Sequence, residues 1–144
     1  MSEAKFVEVR VARLFEASAE RVFDAFLDPA TARRFLFTAP GGRIVACEID
    51  ARVGGVLRMV DRRGDQDIEH VGKYLEINRP RRLVFEFAVP KYDPTITRVT
   101  IEIATRGAGC ALTLTHEVLP GWEKQVAEGW TMILGNLATA IGAG

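Results

Sequence analysis

The sequence is poor in the side chains on which metal, redox and hydrolytic chemistry usually depend. It has two cysteines and two histidines in 144 residues. Cys47 and Cys110 stand far apart, each inside an alternating apolar pattern and neither with a partner at metal-ligand spacing. Both are expected to be buried thiols rather than a disulfide or a metal site. The sequence has no Gly-x-Ser-x-Gly elbow, no glycine loop followed by Lys-Ser/Thr and no His-x-x-x-His pair. No cofactor and no metal is therefore expected. No apolar run approaches the roughly 20 residues of a membrane span, and the first six residues lack an apolar signal core. A cytoplasmic location without a membrane span is expected. Neither charge is in excess. Nineteen basic and nineteen acidic residues cancel, which removes the footprint of a general nucleic-acid binder. The basic groups Arg33-Arg34, Arg62-Arg63 and Arg79 with Arg81-Arg82 read as solvated charge on helix faces and turns.

What is present is pattern. The length suits one domain, residues 1–144, that buries a core without staples. Residues 6–14 alternate, with Val7, Val9 and Val11 on one face, as in a strand. Ser18 precedes a short helix whose apolar face is Val22, Phe23, Phe26 and Leu27, and Asp28-Pro29 opens a second that runs to Phe37. Six further strands are expected at 43–50, 55–62, 68–79, 82–89, 96–105 and 110–118. Glycine, proline and acidic turn residues separate them closely enough to make neighbours antiparallel. Gly72 falls inside a strand, where it permits a bulge, a bend or a close approach. A single 3.6-period stripe follows at about 121–142: Trp122, Val126, Trp130, Ile133, Leu134, Leu137 and Ile141. The expected fold is α+β: a seven-stranded, curved antiparallel sheet wrapped around a long C-terminal helix, with two short helices after the first strand. One helix cannot cover the whole inner surface of such a sheet, so a cavity is expected between them.

This order is that of the helix-grip fold, and five segments strengthen the likeness: Ala17–Pro29, Arg52–Gly55, Gly72–Phe85, Leu112–His116 and Gly129-Trp130. Together, over about residues 7 to 141, they resemble the START-like, polyketide-cyclase-like (SRPBCC) superfamily, and within it the heat-shock-protein-90 ATPase-activator-like family. The resemblance implies a cavity for a small hydrophobic or aromatic molecule, in a carrier, sequestering or sensing role. Its alternatives are a cyclase, dehydratase or hydrolase using the same cavity, and a protein that engages a chaperone. The second of these rests on the likeness alone. The chain has Phe35-Leu36-Phe37 where many relatives place a tryptophan, which implies a differently shaped pocket.

Six residues are expected to bound the ligand: Phe35, Phe85, Phe87, His116, Trp130 and Leu134. His116 is the sharpest polar candidate, because Cys110, Leu112, Leu114, His116 and Val118 share one strand face. It reads first as a hydrogen-bonded or rim histidine, then as a donor that orients a ligand, and last as an acid-base catalyst. His70 and Tyr74 have the opposite parity to Val71, Leu75 and Ile77 and are expected on the solvent face. Glu48 and Arg58 are expected in solvent as well. Apolar lining is abundant and convergent ionisable groups are scarce, so binding is favoured over turnover.

Overall fold

The computed structural model describes residues 6–142. Its strands are β1 (Val7–Phe15), β2 (Arg43–Ile49), β3 (Val56–Arg63), β4 (Gln66–Asn78), β5 (Arg82–Val89), β6 (Asp93–Arg106) and β7 (Gly109–Val118). Its helices are α1 (Ala19–Leu27), α2 (Pro29–Ala32) and α3 (Glu123–Ala140). The strands form one antiparallel sheet in the order β1-β7-β6-β5-β4-β3-β2. Hairpins build it from β2 to β7, and β1 closes onto β7, so α1 and α2 carry the chain from one sheet edge to the other. The sheet is open and curved, and with α3 it forms the expected helix-grip fold.

Burial follows the alternation. Leu83 and Phe85 of β5, Val99, Ile101 and Ile103 of β6, and Leu112 and Leu114 of β7 form a core with Trp130, Ile133, Leu134 and Leu137 of α3. Ser18 caps α1 by accepting the Arg21 N–H at 3.2 Å, as its position before an apolar helical face requires. Arg21 in turn donates to the Ile141 carbonyl just past α3. That bond supplies a partner for one of the carbonyls that every helix leaves unpaired at its end, and it ties α1 to α3.

Four expectations need correction. The second helix ends at Ala32 rather than Phe37. Phe35, Leu36 and Phe37 are all buried, and three consecutive residues cannot share one helical face, so the chain leaves the helix to bury them. It does so with Phe37 in the left-handed region, at φ 61°.

His70 and Tyr74 do not face water: both are buried, Tyr74 with 1% exposure. The cause is a register shift between Tyr74 and Glu76 in the pairing of β4 with β5. Such an irregularity inverts the face of everything beyond it, so Ile77 joins Tyr74, His70 and Ile68 on the inside while Val71 and Leu75 are only half-buried. Cys47 lies on the edge strand β2, which half-exposes it, whereas Cys110 is buried as expected. Arg63 is not simply solvated, because its partner, Asp61, is a fully buried carboxylate. Glu48 and Arg58 do lie on the exposed face, paired at 3.0 Å, with Arg58 also bonded to Glu69.

Candidate functional site

The register of β5, β6 and β7 brings Phe87, Thr97 and His116 side by side beneath the N-terminal half of α3. His116 is buried and bonded through both ring nitrogens. The Trp130 indole N–H donates to Nδ1 at 3.0 Å, and Nε2 lies 2.7 Å from the Thr97 hydroxyl, which also stands 3.1 Å from the Phe87 carbonyl. An indole N–H can only donate, so Nδ1 accepts and the proton of the neutral ring sits on Nε2. Nε2 then donates to Thr97 Oγ1, and the hydroxyl donates to the Phe87 carbonyl. Every donor in this relay has an acceptor, which fixes the tautomer and joins α3 to three strands. Burial lowers the His116 pKa to about 4, so the ring is neutral at pH 7.

A second cluster stands beside it. The Phe37 ring stacks on His70 at 4.9 Å and on Phe87 at 4.7 Å, and meets Trp130 edge-on at 5.7 Å. The left-handed backbone at Phe37 costs of order 1 kcal/mol, and these contacts offset it. His70 donates from Nδ1 to the Ile68 carbonyl at 3.1 Å. Burial, with a smaller contribution from the nearby Arg63 charge, lowers its pKa to about 4.

Between these clusters and α3 lies a cavity of about 230 Å³, walled by Phe37, His70, Phe87, His116, Trp130 and Ile133. Thr38, Ala39, Arg63 and Gln125 complete its rim. A smaller cleft of about 130 Å³ adjoins it across Phe87, Val89, His116 and Val126, and is flanked by the exposed rings of Tyr92 and Trp122. Gly129 also faces the larger space. A Cβ built on it would meet no atom within 4 Å, so this glycine leaves volume open rather than admitting a neighbour.

Of the six residues expected to bound a ligand, the structure brings Phe87, His116 and Trp130 together on the cavity wall. Phe35, Phe85 and Leu134 lie elsewhere, packed in the core; Phe35 is fully buried against Phe26, with ring centres 5.3 Å apart. Phe37 and His70 were the residues missed. The parity rule hid His70, and Phe37 depends on a single unusual backbone angle that no periodicity announces. Among the described residues no group of acidic, cysteine or histidine side chains has metal-binding geometry, and no helix is long and apolar enough to cross a membrane.

The family described as activator of Hsp90 ATPase homolog 1-like protein matches residues 16–142. Among solved structures, the chain is similar to protein CV1439 from Chromobacterium violaceum. Identity is 28%, coverage 95% of this chain and 98% of that one, and the TM-score 0.86. It is likewise similar to the Mll3558 protein from Rhizobium loti, at 27% identity over 96% and 99% of the two chains, with a TM-score of 0.79. The AHSA1-like protein from Aeromonas hydrophila shares the fold, at 20% identity over 94% and 92%, with a TM-score of 0.83. No curated protein matches the chain.

Proposed function

The chain belongs to the activator of Hsp90 ATPase homolog 1-like family, and on that premise we propose that it binds a small hydrophobic or aromatic molecule in the cavity beneath α3. The observation that carries this reading is Gly129. A glycine inside a helix costs roughly 1 kcal/mol relative to alanine, and a Cβ at Gly129, as at Gly135 of the same helix, would meet open space; Gly129 is the one of the two that lines the cavity. The rest of the wall is stacked aromatic rings and aliphatic side chains. An apolar cavity of about 150 Å³ already takes benzene, so about 230 Å³, open at its rim, takes two rings and leaves a third at the mouth.

The state of His116 supports binding over turnover. Both its nitrogens are committed and its charge is suppressed, so it contributes a ring edge to the wall rather than a mobile proton. A carrier, sequestering or sensing role fits such a site.

The test fills the space. Wild type should bind neutral N-phenylnaphthylamine saturably, at micromolar strength. Gly129→Leu should remain folded, because leucine favours the helix, and should weaken binding by about tenfold or more. Equal binding by the two proteins would remove the cavity reading. The family description also raises a chaperone role. Stimulation of a heat-shock-protein-90 ATPase by both wild type and Gly129→Leu, without probe binding by either, would favour that role instead.

A further inference from the structure

Resting on the cavity reading above, we propose that the ligand carries one anionic group and that Arg63 receives it at the rim. Arg63 ends β3, whose inner-facing residues are Leu57, Met59 and Asp61, and it continues that face onto the cavity edge. The Asp61 carboxylate beneath it has no solvent exposure. It accepts the Arg63 Nε–H at 2.6 Å, the Ala39 backbone N–H at 3.0 Å and the Thr38 hydroxyl at 3.4 Å. The loop closes so tightly over it that a Cβ on Gly42 would stand 2.6 Å from its oxygen. Asp61 therefore holds the guanidinium by one edge, beneath a loop that closes tightly over it.

The other edge is free. Neither η nitrogen of Arg63 bonds to another described residue, and the side chain is 34% exposed. Four arginines of the outer surface behave differently: Arg58, Arg62, Arg79 and Arg82 each commit an η nitrogen as well as Nε to carboxylates, whereas Arg52, like Arg63, pairs through Nε alone, with Asp50. What sets Arg63 apart is its place: with its fork open, it stands over a cavity of aromatic rings, and Arg52 does not. A planar fork of charge-assisted donors fits a carboxylate or sulfonate in two parallel bonds. Asp61 cancels part of the guanidinium's long-range attraction, so discrimination comes from those directed bonds rather than from net charge. The bound molecule would lay its apolar body along Phe37, Phe87 and Trp130, with its anion outward beside Thr38 and Gln125.

Two probes share one skeleton and differ in one group: N-phenylnaphthylamine, which is neutral, and anilinonaphthalene sulfonate. Wild type should bind the sulfonate about tenfold more tightly. Arg63→Met should bring the two affinities together by weakening the sulfonate about tenfold more than the neutral probe. Arg63→Met strands a buried carboxylate, so the double variant Asp61→Asn/Arg63→Met provides the same comparison in a protein without that charge. Equal affinity of wild type for both probes would overturn the anion proposal and leave the cavity intact. A sulfonate preference that persists without Arg63 would overturn its role, and failure of wild type to bind either probe would overturn both readings.

Discussion

Among single residues, His116 and His70 carry the sharpest consequence of burial. An unfolded chain titrates each near the ordinary 6.5, whereas the folded protein holds both to about 4. Between these values the unfolded state binds more protons, so stability is intact above pH 6.5 and is lost as the pH falls toward 4. Each ring should contribute a loss of about 2 kcal/mol by pH 5. Urea unfolding at pH 7.5 and pH 5 measures this, and His70→Asn should flatten part of the difference. An unchanged midpoint would mean that the imidazoles are charged or solvated. That His116 lies inside was legible from its company on β7. The relay was not, because the indole of Trp130 reaches Nδ1 from a helix and the Thr97 hydroxyl reaches Nε2 from a neighbouring strand. Tyr74, which the parity places on the solvent face, is buried, its phenol has no hydrogen-bond partner among the described residues, and burial raises its pKa.

At the scale of elements, two glycines in regular structure do opposite work. Gly72 of β4 pairs with Phe87, and a Cβ there would sit 2.2 Å from the Glu86 carbonyl oxygen, a backbone atom that cannot turn aside. Gly72→Ala should therefore force β4 and β5 apart at a cost of more than about 2 kcal/mol. Gly129→Ala in α3 meets open space and should stabilise by up to about 1 kcal/mol. Chemical denaturation of the two variants compares them directly, and a shift of the same sign in both would contradict the geometry. The sequence left a bulge, a bend and a close approach open at Gly72, since glycine weakens a strand that has no use for it, and the structure shows the close approach. It did not signal the register shift that follows at Tyr74 and Glu76, because a strand with one extra residue looks like a longer strand. The strands and α3 were readable from periods of 2 and 3.6, and the antiparallel neighbours from β2 to β7 from the turn residues between them; the pairing of β1 with β7 was not. The failures lie at β4 and after α2, where the chain departs from a single period.

For the molecule as a whole, the cavity divides α3 into two halves with different support. The C-terminal half is held by the core through Leu134, Leu137 and Ala138, and the carbonyl beyond it accepts the Arg21 bond. The N-terminal half roofs the cavity with Val126, Gly129 and Trp130, and begins at Trp122 without a side-chain cap. A helix start without a cap, standing over unfilled space, should open more readily than a packed helix end. Filling the cavity supplies the missing contacts to that half alone. A bound aromatic probe at a hundred times its Kd should add about 2.7 kcal/mol to global stability. Hydrogen exchange locates the effect: without ligand, amides of residues 126–131 should exchange faster than those of 134–140, and probe binding should slow the first group by a larger factor than the second. Equal protection along the helix in the free protein, or slowing spread evenly over both halves, would mean that the space beneath Gly129 does not limit the stability of its own roof.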